Sequence, residues 1–143
     1  MSLEKLEGLS NVHLPGQQAH ETLSAHLRFF DVCIVPYLNG PEMASVVPTK
    51  INEYLAAGKA IVSTDLPTVC EFNAEHRVLL TSTPGSQDFL VAIEAQLNAA
   101  PDPLERKRRR EVASQADWKM RIEQMSRLIE GEIASRPVVP RGD

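Results

Sequence analysis

The sequence predicts an α/β domain built on a doubly wound, Rossmann-like parallel sheet and followed by a long C-terminal helix. Two observations carry this. Apolar runs of strand length stand at Val32–Val35 and Ala60–Thr64, as in strands buried in a sheet, and a further strand is expected over Arg77–Thr81. Helical segments separate them, and strands that alternate with helices make a parallel sheet with crossover connections.

Size and composition agree with that class. A chain of 143 residues, 43% hydrophobic, is one domain's worth with enough apolar surface for a core. The expected division is a domain over 1–135 and a frayed tail over 136–143, where prolines and a glycine cluster. A formal net charge of −4 argues against a dedicated nucleic-acid binder. No apolar run approaches the roughly 18 residues of a membrane span, and no signal peptide is visible. Cys33 and Cys70 have no paired spacing, which points to reduced, buried thiols in a cytoplasmic protein. There is no GxGxxG, Walker A, HExxH or GxSxG pattern, and no carboxylate or histidine cluster that would hold a metal ion or cofactor.

In chain order, Asn11–Leu14 reads as a short strand closed by the turn signal Pro15-Gly16. Gln17–Phe30 follows as a helix with Leu23, Leu27 and Phe30 on its apolar stripe. His20 and His26 on that helix read as surface or packing histidines. After the strand at Val32–Val35, residues Pro36–Val47 form a loop of a length that is usually functional or disordered. Pro48 suits the first turn of a helix and Gly58 the left-handed residue just past its end, which sets a helix over Thr49–Ala57. The strand Ala60–Thr64, a short helix over Pro67–Asn73 and the strand Arg77–Thr81 complete the alternation. Asp88–Ala99 is an amphipathic helix, and beyond Pro101 and Pro103 one long helix is expected over Leu104–Ala134.

Lys50 stands out. A lysine in the first helical turn opposes the positive end of the helix dipole, and an anion lodged there would remove the conflict. Glu53, three residues on, projects from the same face one turn deeper. A cation at the mouth and a carboxylate behind it suit a phosphate and a vicinal diol. In open parallel sheets, ligands sit beyond the carboxyl ends of the strands, where the 36–47 loop must lie. Tyr37, Glu42 and Ser45 are the polar groups that loop offers, with the backbone N–H groups of Ser45, Val46 and Val47. The plainer reading of Lys50 and Glu53 is a solvated pair on a surface helix.

Two features fall outside that site. Arg106–Arg110, RKRRR, is the strongest charge run and reads by default as a solvated face; an anionic membrane surface or a phosphate-bearing acceptor is the sharper alternative. Trp118, Ile122, Met125 and Ile129 form an apolar stripe that suits core packing or a docking face.

With these residues in view, the chain resembles the C-terminal, donor-binding part of a GT-B-fold glycosyltransferase of the retaining group, from about Asn11 to Glu130. The most specific segment is Pro48-Thr49-Lys50 with Glu53-Tyr54-Leu55-Ala56-Ala57-Gly58-Lys59. Asn11–Gly16, the run FFDVCIVP, and Trp118 with Arg121 resemble flanking motifs. The resemblance implies that Glu53 holds the ribose hydroxyls of a nucleoside-diphosphate sugar. It implies further that Lys50, with backbone groups over Ser45, Val46, Val47, Pro48 and Thr49, holds the diphosphate without a metal ion. Many relatives carry a second glutamate eight residues before the ribose-binding one; Ser45 stands there, and Glu42 is out of register.

The same resemblance implies that the chain begins partway into the donor domain and lacks the N-terminal acceptor domain, so that it is inactive alone although its parent is a hexosyl-type transferase. Two alternatives stay open: a non-catalytic nucleotide-sugar-binding module, and a structural α/β interaction module. In the family's sheet the 12–14 strand is an outer one, which would leave Val32–Val35 as an apolar edge through which two copies of the chain could pair. The expected setting is the cytoplasm, with the inner face of the membrane as the peripheral alternative.

Overall fold

The computed structural model describes residues 4–82, 86–115 and 118–135. These fall into two compact units divided between Phe30 and Asp31.

The first unit holds α1 (Glu4–Glu7) and a 3-10 turn, His20–Thr22, that runs into α2 (Leu23–Leu27). The strand expected at Asn11–Leu14 does not form. A strand exists only as part of a ladder, and here Val12 instead donates its N–H to the Leu9 carbonyl in a turn, at 3.0 Å. The helix expected over Gln17–Phe30 shrinks to its middle. At its start the Gln18 carboxamide donates to the Pro15 carbonyl at 2.7 Å. At its end Phe29 and Phe30 donate to His26 and Leu27, three residues back, the tight geometry of a closing turn.

The second unit carries the sheet. Strands β1 (Val32–Val35), β2 (Ala60–Thr64) and β3 (Leu80–Ser82) are parallel in the order β1-β2-β3. Val32 pairs with Ala60 and Val35 with Ser63; Val62 pairs with Leu80 and Thr64 with Ser82. Successive residues of a strand face opposite sides of its sheet, and Ile61, Val62 and Ser63 are all buried, so β2 is covered on both. Its buried hydroxyls are satisfied internally: Ser63 donates to the Thr64 carbonyl at 2.9 Å and Thr64 to the Val35 carbonyl at 3.4 Å. β1 is an edge of the sheet among the described residues. Cys33 and Val35 are buried, whereas Ile34 on the opposite face is 45% exposed.

Helix α3 (Lys50–Ala56) packs on β1 and β2, and α5 (Ser86–Asn98) lies across all three strands. Between them α4 (Pro67–His76) runs three residues further than its sequence suggests. Arg77 takes the left-handed conformation, φ 52°, past its end. The Asn73 carboxamide then accepts the N–H groups of Val78 and Leu79, each at 3.0 Å, and donates to the Leu79 carbonyl. Those bonds withdraw Val78 and Leu79 from any ladder, which is why β3 starts at Leu80 and not at Arg77.

The long helix expected over Leu104–Ala134 is described as α6 (Pro103–Gln115) and α7 (Trp118–Ser135); residues 116–117 between them and the expected tail at 136–143 lie outside the described residues. Asp102 opens α6, accepting the Leu104 N–H at 2.8 Å ahead of Pro103 in the first turn. Helix α6 packs on α3, and of the RKRRR run Arg106, Lys107, Arg108 and Arg110 stay exposed while Arg109 turns inward. The Arg109 side chain is only 17% exposed, and Arg108 donates to the His76 carbonyl at the end of α4, at 2.9 Å. Long basic side chains bury their methylene stems readily. The apolar stripe of α7 is the reverse case: Ile122, Met125 and Ile129 are 55–58% exposed, so core packing does not hold for them. The Trp118 side chain lies outside the described residues. Cys70 is exposed, against the expected burial, whereas Cys33 is buried.

Candidate functional site

The carboxyl end of β1 leads into the 36–49 segment and then α3, and the carboxyl end of β2 leads into α4. Two hydrogen bonds hold these exits together. The Asn39 carboxamide donates to the Asp65 carboxylate at 2.7 Å, and the Thr68 hydroxyl in the first turn of α4 donates to the Val46 carbonyl. The long loop is therefore pinned near both its ends to the segment that follows the central strand. A short 3-10 turn, Pro41–Met43, folds its middle.

Helix α3 starts as the sequence suggests. Pro48 is buried, Thr49 is the cap residue, and the carbonyls of Pro48 and Thr49 accept the N–H groups of Ile51 and Asn52 at 3.1 Å each. Ile51 and Leu55 face the core, at 5% and 0% exposure. That fixes the outward face, on which Lys50 is exposed and Glu53 half-buried. Among the described residues neither has an ion-pair partner.

The backbone around them is sorted by its own bonds. Val46 donates its N–H to Met43 at 3.2 Å and gives its carbonyl to Thr68, so both its polar groups are engaged. Among the described residues the N–H groups of Ser45, Val47, Thr49 and Lys50 have no backbone partner. Ser45 and Val47 are exposed. At the far end of the helix, Gly58 donates to Leu55 at 2.8 Å and Lys59 to Tyr54 at 3.0 Å, a Schellman closure. Gly58 has φ +72°, and a Cβ there would stand 2.6 Å from Arg106 Cγ and 3.1 Å from Arg110 Nε. Helix α6 thereby braces the helix that carries Lys50 and Glu53.

Two groups, Cys33 on β1 and Tyr54 on α3, hold their protons. Burial pushes the Cys33 thiol up to about 11, with Lys59 opposing. Burial also raises the Tyr54 hydroxyl, helped by Cys33, Glu53 and Tyr37. Neither is poised as a nucleophile or base near neutral pH.

Sequence reasoning did not single out the space between the two pinned exits. A cavity of about 380 Å³ opens there, lined by Asn39, Gly40, Asp65, Leu66 and Pro67. Asn39-Gly40 and Asp65-Leu66-Pro67 read locally as turn residues, and only the hydrogen bond across 26 positions brings them together.

Comparison with known proteins gives this arrangement its class. The family model of the group 1 glycosyl transferases matches residues 1–99, and the chain belongs to that family of GT-B-type enzymes. Over 118 residues it is 30% identical to a Bacillus subtilis (strain 168) protein that bears the name of a teichuronic acid biosynthesis glycosyltransferase, TuaH. That alignment takes in 82% of this chain and 30% of the relative, so the chain spans under a third of the relative's length. No solved structure matches it. No helix among the described residues is long and apolar enough to cross a membrane.

Proposed function

We propose that the chain is the nucleotide-binding part of a glycosyltransferase and that it takes the nucleoside-diphosphate moiety of an activated sugar. Lys50 and the N–H groups at Val47, Thr49 and Lys50 hold the diphosphate; Glu53, one turn deeper, accepts hydrogen bonds from the ribose hydroxyls. The observation that supports this most is the pair itself. A cation and a carboxylate stand one turn apart on the outward face of α3, beyond the carboxyl end of β1, with no ion-pair partner for either among the described residues. A lysine ammonium is a point charge suited to phosphate, and charge-assisted hydrogen bonds are the strong ones. On this reading the developing charge of the leaving diphosphate is neutralised by Lys50 and the backbone dipoles, and a hexose passes to an acceptor held by another part of the parent protein. Bound alone, the donor has no acceptor to meet, so the isolated chain turns over no substrate.

Calorimetric titration of the 143-residue chain tests the assignment. Lys50→Ala should weaken nucleoside diphosphates and inorganic pyrophosphate alike, by about 1.5–3 kcal/mol, the worth of a hydrogen bond to a charged group. Glu53→Gln should weaken nucleoside diphosphates more than pyrophosphate, because only the nucleoside has a diol. Equal losses for both ligands at Glu53 would sink the ribose role, and wild-type affinity in Lys50→Ala would sink the diphosphate role.

A further inference from the structure

Helix α7 has an apolar face that the rest of the described chain leaves bare. Every residue from Lys119 to Ser135 is exposed, including Ile122, Met125, Leu128, Ile129 and Ile133. At 3.6 residues per turn, Ile122, Met125, Ile129 and Ile133 fall within an arc of about 80°, and Leu128 borders it. Single apolar residues on a surface are ordinary, but a continuous row over about three turns marks an interaction face. Helices in proteins also draw most of their stability from burying such a face.

The charges beside the row indicate what covers it. Lys119 and Arg121 stand near the start of α7, and Glu130 and Glu132 towards its close. Each is at the wrong end for the helix's own dipole, which favours carboxylates at the start and cations at the close. The first turn holds no acid and the last turn no base. The four also sort by side: Arg121 and Glu132 flank the apolar row on one side, Lys119 and Glu130 on the other. When two such helices lie antiparallel about a two-fold axis, like flanks meet and opposite ends meet. Arg121 of each copy then faces Glu132 of the other, Lys119 faces Glu130, and Ile122 stands opposite Ile129. The symmetry makes every pair twice. A parallel arrangement gathers the cations at one end and the carboxylates at the other. An anionic bilayer suits the pattern poorly too, because α7 balances its cations with as many carboxylates and the acidic end would be repelled.

We propose that α7 is a self-association face, and that it is covered by the α7 of a second copy of this chain, packed antiparallel about a two-fold axis. One helix against its copy is at the small end of interfaces, where complexes are weak and transient. Pairing therefore grows with concentration and adds nothing to the folding of the dilute chain. It does not depend on the nucleotide site assigned to α3.

Sedimentation equilibrium of the 143-residue chain from about 10 µM to about 1 mM tests this, a range that covers weak complexes. The wild type should pass from monomer towards dimer, and Ile122→Gln with Ile129→Gln should stay monomeric throughout. Arg121→Glu should weaken pairing at least about fivefold, since attraction becomes repulsion at two symmetric positions. Adding Glu132→Arg should restore it to within about twofold, as coupled partners do. All these positions are exposed, and a ¹⁵N spectrum of each variant checks that the fold is kept.

Orientation is read from a mixed sample. Cys33 is buried, so Cys70→Ser with Gly131→Cys leaves one reactive thiol for a spin label, at a position with nothing within 4 Å. Mixed with ¹⁵N-labelled wild type, the labelled chain should broaden the amides of Lys119 to Arg121. Broadening centred on Gly131 instead would mean a parallel pair and overturn the proposal. So would a monomer at the highest concentration, or a charge swap that fails to restore pairing. A dimer that survives Ile122→Gln with Ile129→Gln would pair elsewhere, as through the β1 edge, and overturn it as well. Flotation with phosphatidylglycerol vesicles completes the test: binding lost with the same two isoleucines would give the face to a bilayer and overturn the pairing.

Discussion

Helices α6 and α7 follow one another in the chain and invert what their sequences suggest. The first is dominated by five consecutive basic residues, Arg106 to Arg110, and yet docks on α3. The second has an apolar stripe at helical spacing, and yet Ile122, Met125, Leu128 and Ile129 are all more than half exposed. The reason lies in geometry rather than in polarity. The docked face of α6 is the spaced set Glu105, Arg109, Val112 and Ala113, whose stems and small residues fit beside α3, and Gly58 removes the side chain that would hold the helices apart. A charge run marks where ammonium and guanidinium heads must reach water, not where the helix body must lie. An apolar stripe marks a face that can be buried, not one that is.

The sharpest way to break this comparison is to make one substitution in each region. Gly58→Ala places a Cβ on a backbone with φ +72°, 2.6 Å from Arg106 Cγ. The left-handed conformation costs about 1–2 kcal/mol in a residue with a side chain, and the displaced arginine adds to it, for a loss of about 2 kcal/mol or more. Gly131→Ala, inside α7, meets nothing within 4 Å and should gain about 0.5–1 kcal/mol from helix propensity. Urea denaturation of the two variants checks both. Equal and small effects would mean that α6 does not sit against Gly58 in solution.

Much of this was legible in the chain. Pro48 and Gly58 bracket α3 to within two residues, and the β1 and β2 runs are where continuous apolar residues put them. Both depend on local chemistry, a fixed φ at one end and a free one at the other. What could not be read depends on partners distant in sequence. Whether Val12 joins a ladder is decided by a neighbouring strand, not by Val12. The start of β3 was hidden because Asn73 reaches forward to claim Val78 and Leu79. The Asn39–Asp65 rim was hidden because each half reads as an ordinary turn. Of the candidate site, Lys50 and Glu53 were visible as an electrostatic oddity in one turn of helix. The engagement of Val46 by Met43 and Thr68 was not, since it needs the loop's own fold.

Arg109 sharpens the docked half of the comparison. Its side chain is 17% exposed and 4.0 Å from Glu105, and its Nε has no hydrogen-bond partner among the described residues. Arg109→Ala should cost about 1–2 kcal/mol, through the buried stem it deletes. Arg109→Met keeps a straight stem and removes the unsatisfied group, so it should match or exceed the wild type. Thermal melts in low and high salt separate the contributions. A loss in Arg109→Met as large as in Arg109→Ala, and relieved by neither condition, would show that the charge rather than the stem holds α6 in place.

The smallest effect is expected on the exposed half. Ile122, Met125 and Ile129 lie three and four residues apart on α7 and are 55%, 56% and 58% exposed. Burying a large apolar side chain is worth about 1.5–3 kcal/mol, so three docked residues together would account for several kcal/mol, comparable with the whole stability of a domain. Three exposed ones account for almost none. Surface substitutions away from caps and networks usually stay within about 0.5 kcal/mol, and glutamine is as good a helix former as methionine and a better one than isoleucine. The triple variant Ile122→Gln, Met125→Gln and Ile129→Gln should therefore unfold at the same urea concentration as the wild type, within about 1.5 kcal/mol in all. Its slope with denaturant should be unchanged as well, because the slope follows the surface exposed on unfolding. A fall of several kcal/mol with a shallower slope would place the stripe in a core after all and leave α6 and α7 alike in how they pack.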